Sequence, residues 1–306
     1  MKNASLVLVA IIVLVGGLAR VPEARAQPVV QVVEVNGYRA RFDNGAPVFV
    51  RYLLIDPGNA NPAVDGFNPI TPQAVLMMFP GGDGRLNLVP GQINTGSTNF
   101  VVRTRYHFAA EGYVVAVIDA ASDFLVHNHP DETDTSGFLH GSGLRGHRLP
   151  NRLHGDKYLL DLGAVMNDLR ARYPNLPLWA VGTSRGTISA AVAAAHAVPR
   201  PDGIVLTSSL TGPSAVGDLQ SVNLEAITVP ALIVTHRDDG CEVTRPDDSM
   251  ALKRRFVSSP RVRVMIFNGG STPLSEPCDP LSGHGYFGIE QKVIDSISRW
   301  LKRIEP

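Results

Sequence analysis

The sequence is short of several things that would each announce a function. It has no net charge, because 28 lysines and arginines are offset by 28 aspartates and glutamates. No basic stripe gathers along it either, so the electrostatic footprint of a nucleic-acid binder is missing. Beyond Leu18 there is no apolar run long enough to span a bilayer, which takes about 20 residues. Two cysteines among 306 residues, without CxxC-like or tight helical ligand spacing, give no signature of a zinc site. There is no internal repeat and no low-complexity linker, so nothing visibly divides the chain. A hydrophobic share of 44% is ample for the core of one large α/β domain.

What is present starts at the N-terminus. Lys2 is followed by the apolar run Leu6 to Leu18 and then by Ala24-Arg25-Ala26 just before Gln27. A basic start, a short apolar stretch and small residues at the cleavage positions spell a signal peptide over residues 1–26. The alternative, an N-terminal membrane anchor, asks for a longer run. The mature chain is then expected to begin near Gln27, to be periplasmic or secreted, and to have no stable membrane insertion once the signal is cleaved.

Extended segments are readable at Val48–Ile55, Ala74–Phe79, Tyr113–Ile118, Leu178–Val181, Gly203–Thr207, Ala231–Thr235 and Val262–Phe267, and several of them are near-continuous apolar runs that suit strands buried on both faces. Helical patterns fall between them at Asn99–Glu111, Asp156–Tyr173, Thr187–Ala197, Asp247–Val257 and Phe287–Ile304. This alternation predicts an α/β fold, an open and mostly parallel sheet flanked by helices on both faces. The first strands, near Val29–Val35 and Val48–Ile55, lack a helix between them and are expected to form an antiparallel edge. Residues 120–155 break the pattern, being rich in Gly, His and Asp, and read as an insertion at the carboxyl edge of the sheet, where open α/β sheets bind ligands.

The strongest local signal is Gly182-Thr183-Ser184-Arg185-Gly186, a GxSxG run between the strand Leu178–Val181 and an Ala-rich helix. In that context the turn is so sharp that its central residue takes a strained backbone, and glycines remove the side chains that would collide. Ser184 is thereby the candidate nucleophile. The second signal is Phe79-Pro80-Gly81-Gly82-Asp83-Gly84, directly after the strand Ala74–Phe79. Taken alone, it reads equally well as a glycine turn that ends a strand.

Together these motifs resemble the α/β-hydrolases, in which a Gly-rich oxyanion loop follows an early central strand and the triad runs Ser, then Asp or Glu, then His. The resemblance implies that the backbone N–H groups of Gly82 and Arg185 hold an oxyanion, although Pro80 stands where the family often has His. It also places the triad acid after the strand Ala231–Thr235. There Asp239 aligns with the family position and Asp238 is its rival, since His236 replaces an expected Gly. The base is implied at Gly283-His284-Gly285, before the last helix. Because the acid and base loops meet in this fold, the resemblance together with export and an even cysteine count implies a Cys241–Cys278 disulfide.

The expected activity is that of a serine esterase on a small-molecule acyl substrate, working through an acyl-enzyme with no metal or organic cofactor. The short connection from Leu210 to Pro230 leaves no room for a large helical lid. Export argues against coenzyme-A thioesters. A peptidase or amidase of the same fold, or a non-catalytic binding relative, are the alternatives. His127, His129, His140, His147 and His154 are read as part of a polar loop before a metal site. Arg185 is read as a surface ion pair before an anion anchor, Trp179 as core, and Asn99–Glu111 as an ordinary amphipathic helix.

Overall fold

The computed structural model describes residues 30–39, 47–65, 68–92, 95–122, 155–213 and 218–304. The expected signal peptide, residues 1–26, and all but the ends of the expected 120–155 insertion, with its five histidines, lie outside the described residues. Eight strands form one sheet: β1 (Val30–Arg39), β2 (Pro47–Ile55), β3 (Ala74–Phe79), β4 (Tyr113–Ile118), β5 (Leu178–Thr183), β6 (Gly203–Thr207), β7 (Ala231–His236) and β8 (Val262–Phe267). Their order is β1-β2-β4-β3-β5-β6-β7-β8. The pairs β1/β2 and β2/β4 are antiparallel, and every pair from β4/β3 to β7/β8 is parallel. The expected α/β class and the antiparallel first edge are both present.

Seven α-helices are described: α1 (Pro62–Asp65), α2 (Phe100–Arg103), α3 (Arg105–Ala110), α4 (Gly155–Arg172), α5 (Gly186–His196), α6 (Asp248–Arg254) and α7 (Glu290–Leu301). Successive strand residues alternate between two cores. Met77, Ala180, Leu206 and Ile233 face α4, α5 and α6, while Leu76, Met78, Trp179, Val205 and Leu232 face α2, α3 and α7. A strand that buries both its faces has no polar face to show, which is why β3 to β7 read as unbroken apolar runs.

Three helices depart from the expected ranges. Asn99–Glu111 is two short helices, because the Thr104 hydroxyl bonds back to the Phe100 carbonyl at 2.6 Å and the backbone leaves helical geometry there (φ −95°, ψ 2°). The last helix starts only at Glu290, since Gly288 takes a positive φ of 83°. The α6 helix ends at Arg254, and Phe256 then turns into the core.

The sheet register positions the site. Phe79 pairs with Gly182, so the loop after β3 lies beside the turn after β5. Thr183 pairs with Thr207, which sets Ser184 next to the end of β6.

Candidate active site

Ser184 occupies the strand-to-helix turn between β5 and α5 with φ 55°, a left-handed conformation that is strained for a residue with a side chain. Its N–H donates to Thr207 O at 3.0 Å and its carbonyl accepts from Thr187 N at 3.0 Å, so both neighbours in the fold hold the turn. The glycines at either end are obligatory. A Cβ on Gly182 would come within 2.2 Å of Gly186 O, and one on Gly186 within 2.1 Å of Phe79 O.

Gly81 also packs closely against this turn. A Cβ there would lie 2.9 Å from Ser184 Cβ, 2.9 Å from Thr183 O and 3.0 Å from Asn99 Nδ2. Gly84 N donates to Gly81 O at 3.3 Å, closing a tight turn around Gly82, which has φ 68° and open space beside it. The Gly82 N–H has no partner among the described residues. Downstream, the buried Asp119 carboxylate holds the loop by accepting from Leu86 N and Leu88 N, each at 2.7 Å. Burial raises the pKa of Asp119, and these backbone donors oppose the shift.

Asp239 and His284 come from loops after β7 and β8, and the structure brings them together. His284 Nδ1 is 3.1 Å from Asp239 Oδ2, and both side chains are buried. Asp239 Oδ1 accepts from Cys241 N at 3.0 Å. Asp238 is exposed. His236, the departure from the expected Gly, is a strut for the loop that carries Asp239. Its Nδ1 accepts from Asp238 N at 3.0 Å and its Nε2 lies 2.8 Å from Gly269 O, so the proton sits on Nε2. Cys241 and Cys278 are joined in a disulfide with a Cα separation of 4.5 Å.

No family model matches the sequence, and no curated protein is significantly similar to it. Solved structures are. The chain is similar to a highly thermostable carboxyl esterase from Bacillus coagulans at 13% identity and a TM-score of 0.54, over 89% of this chain and 98% of that one. It is similar to an α/β serine hydrolase without a lid from Xanthomonas campestris at 15% identity and a TM-score of 0.51, over 92% and 99%. It is also similar to dipeptidyl peptidase 4 of Porphyromonas gingivalis at 12% identity and a TM-score of 0.51, over 89% of this chain and 35% of that one. The chain has the α/β-hydrolase fold.

Within this α/β-hydrolase fold several supporting residues have no local signal in the sequence. Thr244, buried, donates to Asp239 Oδ2 at 3.0 Å and lies 3.1 Å from His284 Nδ1, so it packs against both partners of the pair. Ser208, with φ 44°, donates from Oγ to His284 O at 2.7 Å. Tyr286, fully buried with φ 59°, accepts from Ser208 N at 3.0 Å and donates to Val234 O at 2.9 Å. Burial raises the pKa of this phenol well above its ordinary value, so it stays protonated.

Arg103 braces the loop that carries His284. It donates to Gly285 O and pairs with Glu290 at 2.9 Å. This corrects the reading of Asn99–Glu111 as an ordinary amphipathic helix. Arg185 is half-buried, which lowers its pKa, and the charge of Asp83 opposes that shift. Trp179 lies in the core, edge-on to Trp300 with centroids 5.4 Å apart.

Proposed function

We propose that this protein is an exported serine hydrolase that cleaves carboxylic esters, with Ser184 as nucleophile, His284 as general base and Asp239 as the acid that orients it. Residues 1–26 act as the signal peptide, and residues 27–306 form one α/β-hydrolase domain. The observation that carries the reading is the buried Asp239–His284 hydrogen bond of 3.1 Å, on the same sheet edge as the strained Ser184 turn. The likeness to proteins described as esterases supports ester cleavage, and the Cys241–Cys278 disulfide suits an oxidising compartment. No helix among the described residues is long and apolar enough to cross a membrane.

Asp239 accepts the Nδ1–H of His284, which leaves Nε2 as the basic nitrogen. That nitrogen takes the Ser184 proton as Oγ bonds to the acyl carbon, then returns it to the departing alcohol. Water, activated in the same way, releases the acid. The N–H groups of Gly82 and Arg185 stabilise the oxyanion, and each such donor is worth about two to three orders of magnitude in rate. The test is exposure of the purified mature protein to a fluorophosphonate probe. Labelling at Ser184, lost in Ser184→Ala together with hydrolysis of short acyl nitrophenyl esters, is the expected result. Labelling elsewhere, or none, overturns the reading.

A further inference from the structure

Asn99 is placed by the fold beside the nucleophile, and its carboxamide is uncommitted. It precedes α2 in the cap position, where an Asn side chain ordinarily accepts from the helix N–H groups, yet it makes no such bond. Instead its Nδ2 reaches the Gly81 backbone. Nδ2 lies 3.0 Å from the point where a Gly81 Cβ would sit, and Ser184 Cβ lies 2.9 Å from that same point. The amide and the nucleophile thus flank one backbone atom of the oxyanion loop.

Neither end of the amide is spoken for. Oδ1 is buried without a hydrogen-bond partner, and Nδ2 makes no hydrogen bond among the described residues. Burying an acceptor without a partner is unfavourable, and a fold keeps such a group where something else recruits the side chain. The residue as a whole remains partly exposed. With its oxygen sealed in, the nitrogen is the end that can meet a ligand above Ser184. A carboxamide N–H adds a neutral donor, which stabilises negative charge without bringing a counter-charge that would also hold the product carboxylate.

We propose that Asn99 Nδ2–H is a third donor to the acyl oxygen, beside the N–H groups of Gly82 and Arg185. The inference rests on the serine-hydrolase reading. As Ser184 Oγ bonds to the acyl carbon and its proton passes to His284 Nε2, the carbonyl π pair moves onto oxygen. The Asn99 amide meets that charge as it forms. When the tetrahedral intermediate collapses, the pair returns to the carbonyl, the ester C–O bond breaks, and the alcohol leaves with the proton from His284. A donor used in this way acts on the transition state more than on the bound ester, so its removal lowers kcat and leaves KM nearly unchanged.

The experiment compares the wild-type protein with Asn99→Leu, which keeps the size but has no donor, and with Asn99→Asp, which keeps the shape and sets an acceptor against the oxyanion. Hydrolysis of p-nitrophenyl butyrate is measured with the affinity for an aryl trifluoromethyl ketone, which forms the tetrahedral adduct, and for butyrate. Expected is a loss of about 10- to 100-fold in kcat for Asn99→Leu, with a larger loss for Asn99→Asp. Ketone affinity should fall by the same factor and butyrate affinity should not change. Thermal melts and fluorophosphonate labelling of Ser184 identify folded variants, and Asn99→Ser serves if Asn99→Leu does not fold. Wild-type protein that is labelled and active, with variants within twofold in kcat and ketone affinity, overturns the role of Asn99 alone. Wild-type protein that is neither labelled nor active overturns the underlying reading, and this inference with it.

Discussion

The hydroxyl of Ser208 donates to the main-chain oxygen of His284 at 2.7 Å, while the residue before it, Thr207, accepts the N–H of Ser184 at 3.0 Å. The end of β6 is therefore a common anchor for the serine turn and the histidine turn. Ser208→Ala leaves a buried carbonyl without its donor, a loss of about 1–3 kcal/mol. Tyr286→Phe removes the phenol that bridges Ser208 and Val234, with a similar cost. Both variants are expected to melt earlier and to lose turnover of a nitrophenyl ester. Wild-type turnover in folded Ser208→Ala would show that this anchor does not govern the base.

The two adjacent acids differ in environment. Asp239 is buried against His284, whereas Asp238 is exposed. Asp239→Asn is expected to depress kcat by roughly four orders of magnitude, because a carboxamide cannot fix the same imidazole tautomer. Asp238→Asn should stay within a fewfold of wild type. Steady-state kinetics on both variants decides the matter, and the reverse ranking would transfer the role to Asp238.

Thr244 shares the Asp239 oxygen used by His284. Thr244→Val keeps the shape and deletes the donor to Asp239, so the carboxylate loses one of its buried partners. About a tenfold fall in kcat is expected, by analogy with the loss of one hydrogen bond to a charged group, and Thr244→Ser should restore it. A valine variant with unchanged rate and pH profile would leave Thr244 with a packing role only.

The disulfide closes a segment of 37 residues that holds α6 and β8. The loop-entropy estimate for such a closure is about 4 kcal/mol. In a chain of this length that corresponds to a melting temperature lower by roughly 5–10 °C in the Cys241→Ser, Cys278→Ser double variant. Activity should fall with it, since Cys241 N also binds Asp239. Thiol titration of the denatured, unreduced protein should find no free thiol, and two per chain would refute the bond.

The parallel strands were legible because double burial leaves an unbroken apolar run, as in Ala74–Phe79 and Ala231–His236. Ser184 was legible because its turn needs glycines at fixed local offsets. What escaped depends on partners distant in the chain. Arg103 serves Gly285 across 182 residues, Ser208 serves His284 across 76, and Thr244 serves His284 across 40. Local periodicity carries no trace of such pairs. The break at Thr104 was hidden for a different reason, since a threonine inside an amphipathic pattern reads as helix until its hydroxyl is seen on Phe100 O.

The chain has two tryptophans, and Trp179 and Trp300 stand edge-to-face at 5.4 Å. One belongs to the strand that ends at the serine turn and the other to the last helix. Intrinsic fluorescence of this protein is therefore a local gauge. Its emission maximum senses whether α7 is seated on the sheet, and it can shift to the red while distant elements are still folded. Melting followed by emission and melting followed by far-ultraviolet dichroism should coincide only if detachment of that helix and collapse of the sheet are one cooperative event.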